Sequence, residues 1–365
     1  LDLSAGSSGD NVYSKCEKTT PGDPKAGEGL YNKASVDTND DGQPDDEDEA
    51  CGDLPNITVS KTVVSVTDLG GNMYEVSYQV LVKNTGGASG DYDLKDSPGF
   101  DDDIAINSAS YTSNAAGNPG GALVGSGPWT LANNQVIAAG ATHTYTLKVK
   151  VTLDLSAGSS GDNVYSKCEK ATPGDPKAGE GLYNKASIDT NDDGQPEDED
   201  EACGDLPYVT HQKRTSQVSL SGNTNYTITY EIEVKNIGGA AGQYDLKDHP
   251  GFDDDVVITS ASYTSTAPAN PGSALAGSGP WTLANNQTIG VGITHIYTIV
   301  VKATVDFYDA SSPGDELYKK CGASAPGRPA RGEGLFNESF LDTNDDNIPE
   351  ERDSTCADIE DRYGK

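Results

Sequence analysis

The chain has 365 residues, of which 34% are hydrophobic, with 42 Gly, 19 Pro and a formal net charge of −33. That length allows two or three domains, and the low apolar content favours small β modules over one large core. The charge argues against nucleic acid and anionic membrane surfaces as partners, since both would be repelled. No apolar run is long enough to span a membrane. The first residue is Leu1 rather than Met, which reads as a processed product or an excerpt.

Self-similarity organises everything else. Leu1 to Pro55 recurs as Leu153 to Pro207 with three changes, at Thr19/Ala171, Val36/Ile188 and Asp45/Glu197. Asn56 to Thr152 resembles Tyr208 to Thr304, and a drifted copy of the leading stretch runs from Val305 to Cys356. The phase gives residues 1–55 as the C-terminal part of a preceding module, 56–206 as one repeat and 207–365 as a second. The strands absent from the leading part are supplied either by chain upstream of an excerpt or by a neighbouring chain.

In chain order, Ile57 to Val66 (ITVSKTVVSV) and Met73 to Asn84 (MYEVSYQVLVKN) alternate as strands do. In Thr142 to Leu155 the residues His143, Tyr145, Leu147, Val149 and Val151 share one face. Thr224 to Asn236 and Thr294 to Val305 are their counterparts. Period-two patterning buries one face of each strand. Several such strands without a helical stretch between them predict an all-β fold of tandem immunoglobulin-like sandwiches.

The motif order is SKTV, then Y-x-V-x-V-K-N-x-G-G, DLKD, WTL, ATHTYTLKVKV and NKASVD. It resembles the immunoglobulin-like surface repeat known as domain of unknown function 11. The closing strands would be Tyr31 to Asp37, Tyr183 to Asp189 and Phe336 to Asp342. The insert between Leu155 and Leu182, rich in Gly and Pro and carrying a Cys, departs from that pattern. The resemblance implies tandem arrays on secreted or surface-anchored prokaryotic proteins, and no enzymatic activity.

Six cysteines, Cys16, Cys51, Cys168, Cys203, Cys321 and Cys356, fall in pairs 35 residues apart. Equal spacing in each copy predicts one disulfide per copy, and hence an extracellular, cell-surface setting.

Each copy also carries an acidic loop. With Asp37 at position 1, Asn39, Asp41, the Gln43 carbonyl, Asp45 and Asp48 fall at positions 3, 5, 7, 9 and 12 of a calcium loop, with Gly42 at the turn. The second loop offers Asp189, Asn191, Asp193, Gln195, Glu197 and Asp200. The third offers Asp342, Asn344, Asp346, Ile348, Glu350 and Asp353, with Asn347 replacing the Gly. Calcium takes six to eight hard oxygens at about 2.4 Å, and alternate residues of a short loop can supply them. With Pro at position 8 and no flanking helices, the pattern resembles thrombospondin type 3 loops. Ca2+ is the expected cofactor, and a solvated acidic run is the alternative. A second acidic run, Asp101 to Asp103 and Asp253 to Asp255, reads as solvated loop ahead of a metal site.

No G-x-S-x-G, H-E-x-x-H or phosphate loop occurs, and the four His stand singly. Trp129 and Trp281 read as core residues ahead of sugar-stacking platforms. Lys61 and Lys213 on first strands, with Asn184 and Asn337 on closing strands, are the residue types that some surface proteins join as Lys–Asn isopeptide bonds. The resulting expectation is a non-catalytic stalk of an extracellular filament or adhesin, stiffened by Ca2+ and disulfides. Its partners would be neighbouring repeats, in a homopolymer where chains assemble, and a cell-surface or glycan ligand. The rivals are a strand-exchanging fibre subunit and a glycan-binding module.

Overall fold

The computed structural model describes residues 12–18, 22, 26–154, 164–169, 177–306, 320–322 and 327–359. Apart from two three-residue 3-10 turns, the regular structure among them is β-strand. The chain divides into two compact units, Leu1–Leu69 with Met73–Gly204, and Gly70–Asn72 with Asp205–Lys365.

The first unit opens with a hairpin of β1 (Asn32–Val36) and β2 (Asp46–Ala50). There follow β3 (Ile57–Gly70), β4 (Met73–Asn84), β5 (Gly90–Pro98), β6 (Ile104–Ser113), β7 (Gly120–Leu123), β8 (Trp129–Ile137), β9 (Thr142–Leu153), β10 (Leu182–Asp189) and β11 (Asp198–Gly204). One sheet has the order β3-β4-β9-β6-β7 and the other β11-β10-β5-β8. The pairings of β4 and β6 with β9, of β6 with β7, of β5 with β8 and β10, and of β10 with β11 are antiparallel. The inward faces carry Val76, Tyr78, Val80, Leu147, Val149, Leu94 and Ile188, each with no exposed surface. Tyr145, Leu147, Val149 and Val151 are buried on one face of β9, as the alternation requires, while His143 at its end is half-buried.

The second unit repeats the plan. Its strands are β12 (Val209–Ser221), β13 (Asn225–Asn236), β14 (Gly242–Pro250), β15 (Val256–Ser265), β16 (Ala274–Leu275), β17 (Trp281–Ile289), β18 (Thr294–Val305), β19 (Asn337–Asp342) and β20 (Glu351–Thr355). They form sheets ordered β12-β13-β18-β15-β16 and β17-β14-β19-β20. The expected β-sandwich class is therefore present.

Residues 1–55, whose repeat phase marks them as part of a preceding module, fall within the first unit. Leu54 N–H and Gly87 N–H both donate to the Ser14 carbonyl, and Tyr13 Oη donates to Asn56 Oδ1 at 2.9 Å. The β1–β2 hairpin is exposed at every position. Its near-identical copy β10 buries Asn184, Ala186 and Ile188 completely, because β5 pairs along it.

Trp129 and Trp281 are 4% exposed, with indole N–H groups bonded to the carbonyls of Val124 and Ala276. Buried rings leave no face for stacking on a sugar. His143 and His295 accept packing roles too, each with Nδ1 against a tyrosine hydroxyl, Tyr92 at 2.7 Å and Tyr244 at 2.8 Å. Burial holds both imidazoles below the ordinary histidine range.

Candidate metal centres and the clamp beside them

The acidic loop is the turn of a hairpin. β10 runs into it and β11 leaves it, with Ile188 opposite Asp198. The same arrangement joins β1 to β2 and β19 to β20. Within the second loop the Asp189 carboxylate receives backbone N–H groups from Asn191 (3.1 Å), Asp192 (2.8 Å) and Gly194 (2.8 Å). Asn191 Oδ1 accepts from Asp193 N–H, and Asp193 Oδ1 from Gln195 N–H. These side-chain turns replace a backbone ladder and coil the segment on itself. Asp192 carries the positive φ that the tight turn needs, and Gly194 a second one.

The coil brings carboxylates together. Asp189, Asp193 and Glu197 each offer an oxygen within 4.8 Å of the others, and so do Asp342, Asp346 and Glu350. Among the described residues, Asp37, Asp41 and Asp45 of the first loop do not form such a group, although the turns are the same. Burial would raise the Asp189 carboxyl, but the backbone N–H groups outweigh it and hold it low. Asp37 is held low chiefly by the Gly42 N–H. Asp45 is held low chiefly by the Thr38 hydroxyl. Burial pushes Glu350 up. The groupings can hold a metal ion, and an all-oxygen donor set suits hard divalent cations over zinc. Asn191 and the Gln195 carbonyl stand in the same coil; Asn344 and the Ile348 carbonyl are their counterparts. Asn39 and Gln43 hold those places in the first loop.

Asp48, Asp200 and Asp353 lie elsewhere. All three sit in the returning strands rather than in the coil. Asp200 Oδ2 accepts the backbone N–H of Lys61 at 2.6 Å, and Asp198 Oδ2 that of Val59 at 2.8 Å. In the second unit Asp353 takes Lys213 N–H at 2.6 Å and Glu351 takes His211 N–H at 2.8 Å. β3 and β12 are edge strands, so their outward N–H groups have no ladder partner. Carboxylates spaced two residues apart on the neighbouring sheet supply one. The acidic run after each loop thus clamps the first strand of its sandwich. Asp200→Ala is expected to lower the stability of the first unit by about 1–2 kcal/mol while leaving any divalent-cation uptake by the acidic coils unchanged. Thermal melts and equilibrium dialysis would read the two effects separately.

Asp101 and Asp103, with Asp253 and Asp255, are buried rather than solvated. Asp101 Oδ1 accepts Asp103 N–H, and the Asp101–Asp103 and Asp253–Asp255 runs are two further groupings that could hold a metal ion.

The predicted cysteine pairs all close: Cys16–Cys51, Cys168–Cys203 and Cys321–Cys356. In the second copy the bridge packs on Gly181, whose φ is +45°; a Cβ there would meet the Gly204 carbonyl at 2.8 Å and Cys168 Sγ at 3.3 Å.

One part of the lysine–asparagine cluster escaped sequence reasoning, its aspartates. Asp96 and Asp248 are completely buried between the sheets, Asp96 against Lys61 and Asn184, Asp248 against Lys213 and Asn337. The available signal was the phase of DYDLKD. Tyr92, Leu94 and Asp96 share the inward face of β5, and a charge in phase with core residues demands a buried partner.

Fold and sites together define a tandem β-sandwich protein with one disulfide and one acidic hairpin loop per copy. No family model and no curated protein matches the chain. Among solved structures it is similar to the BSP domain of a biofilm-associated protein, at 10% identity and a TM-score of 0.21. The match covers 82% of this chain and 58% of that one, so the chain spans little more than half its length. It is also similar to the CupB6 tip adhesin from Pseudomonas aeruginosa, at 10% identity and a TM-score of 0.25 over 84% of this chain and 98% of that one. A transglutaminase from red sea bream matches at 9% identity and a TM-score of 0.19, over 84% and 31%. No helix among the described residues is long and apolar enough to cross a membrane.

Proposed function

We propose that the chain is a non-catalytic structural stretch of an extracellular surface filament or adhesin stalk, in which Ca2+ and disulfides fix each sandwich. The observation that carries this reading is the convergence of Asp189, Asp193 and Glu197, repeated at Asp342, Asp346 and Glu350. Three carboxylates at that separation repel one another, and a divalent cation offsets the repulsion. Five loop donors fall short of calcium's six to eight, which leaves places for water. Filled loops would lock each hairpin, and with it the carboxylate clamp on the first strand. Disulfides in every copy support a setting outside the cytoplasm. The motif order that resembles the domain of unknown function 11 repeat supports a place in a tandem array.

Titration of chelator-stripped protein with Ca2+ tests the reading. Saturable binding at two or more sites and a melting temperature several degrees higher in Ca2+ than in excess chelator are expected, following ligand linkage. Identical melts in both conditions would refute the metal role.

A strand-exchanging fibre is favoured by one observation. Asn32, Ala34 and Val36 are exposed where Asn184, Ala186 and Ile188 are buried. Polymerisation that rises with concentration, in the purified chain, would select that reading. The glycan-binding reading loses its support with the burial of both tryptophans.

A further inference from the structure

Inside each sandwich lies a fully buried lysine, carboxylate and carboxamide. Lys61 on β3 and Asp96 on β5 belong to opposite sheets, yet both side chains are 0% exposed and in direct contact through Nζ and Oδ2. Asn184 on β10 donates from Nδ2 to the other oxygen, Asp96 Oδ1, at 2.8 Å. Its own Oδ1 is buried with no hydrogen-bond partner. The Tyr78 ring lies 5.0 Å from Lys61 Nζ. The second unit repeats every feature. Lys213 Nζ contacts Asp248 Oδ2, Asn337 Nδ2 donates to Asp248 Oδ1 at 3.0 Å, and Asn337 Oδ1 is again without a partner. Tyr230 stands 5.2 Å from Lys213 Nζ.

This arrangement is costly as a purely structural device. Two charges are taken out of water, and an amide oxygen is left unsatisfied twice in the same place. A covalent product explains both costs. We propose that Lys61 and Asn184, and likewise Lys213 and Asn337, join in intramolecular isopeptide bonds, with Asp96 and Asp248 as the catalytic acid–base groups.

The chemistry balances without an oxidant or cofactor. The carboxylate takes a proton from the lysine ammonium, and the freed amine attacks the asparagine Cγ. The acid so formed bonds the amide oxygen, once the carboxamide turns to present it; which way a carboxamide points is set by its hydrogen bonds. A C–N bond forms to Nζ, and the bond from Cγ to Nδ2 breaks. The two protons given up by the lysine pass to the departing nitrogen, which leaves as ammonium, and the carboxylate is regenerated. Burial favours the first transfer, since it lowers the Lys61 and Lys213 ammonium groups and raises the Asp96 acid.

The test is the intact mass of the whole chain, denatured and reduced. The expected mass is two ammonia below that required by the sequence, and it is read without any variant needing to fold. A mass equal to the sequence value overturns the proposal. Lys61→Arg and Lys213→Arg should each restore one ammonia. A loss of two ammonia that persists undiminished in both variants reports succinimide formation and also overturns it. Loss of a single ammonia, restored by one variant only, confines the bond to that unit and overturns it for the other. Peptide mapping supplies an internal reference. AGEGLYNK occurs at residues 26–33 and at 178–185. The copy holding exposed Asn32 should appear linear, and the copy holding Asn184 should appear branched onto the Lys61 peptide.

Discussion

Replacement of Asn236 by alanine is expected to destabilise the second unit by on the order of 4 kcal/mol. Asn236 is completely buried at the end of β13, and its carboxamide closes four backbone groups. Oδ1 accepts from Gly238 N–H at 3.0 Å and Tyr208 N–H at 3.3 Å, and Nδ2 donates to the carbonyls of Ala240 at 2.8 Å and Ile289 at 3.3 Å. Alanine leaves all four without their side-chain partner, and the loop is packed closely around them; a Cβ placed on neighbouring Gly238 would already lie 2.3 Å from Tyr208 N. Each orphaned group costs roughly 1–3 kcal/mol, the two long bonds least. For a unit of this size the melting temperature should fall by roughly 10 °C. Scanning calorimetry of the full chain would read it. Asn84 makes the same bonds in the first unit, to Asn56 N–H, Gly86 N–H and the carbonyls of Ala88 and Ile137, so its replacement should shift that unit's transition instead. A shift under about 1 kcal/mol would show that the loop refolds around the lost side chain.

The second large effect concerns the disulfides. The double substitution Cys168→Ser with Cys203→Ser should cost roughly 4 kcal/mol, the loop-closure entropy that the bridge removes from the unfolded chain. Cys16→Ser with Cys51→Ser opens a ring of the same size. Its effect on the main transition should be much smaller. The first ring closes on β1 and β2, which are exposed throughout, whereas the second closes on β10, which is built into the sandwich. Equal losses in calorimetry of the two variants would mean that the leading hairpin melts together with the first sandwich.

Most of the sandwich was legible because its strands have one dry face and one wet face. Tyr145 to Val151 shows the period directly, and so does Ile228 to Val234. β11 was not legible. DEDEAC reads as the end of the calcium loop, with Asp200 as its last ligand, since Asp and Glu are poor strand formers. It forms a strand because it pairs along β10, as β2 does along β1, and Asp198 and Asp200 then find backbone donors on β3. The same contact removes Asp200 from the calcium pattern that its spacing suggested. Linear spacing reports which residues could converge, while the hairpin decides which do. The first loop illustrates the limit further. Its coil has the same internal bonds as the second, yet among the described residues it is the second and third loops that gather their carboxylates. The buried Lys61–Asp96 contact was half legible. Lys61 was visible as a strand lysine, but Asp96 was masked by the acidic run that follows it.

The bridge between Cys168 and Cys203 also determines how the chain bears a pull. The acidic hairpin lies wholly inside the 35-residue ring, so tension entering at one sulfur leaves at the other. Roughly 120 Å of contour per ring is thereby withheld from extension. The loops would stay folded while the polypeptide on either side is stretched.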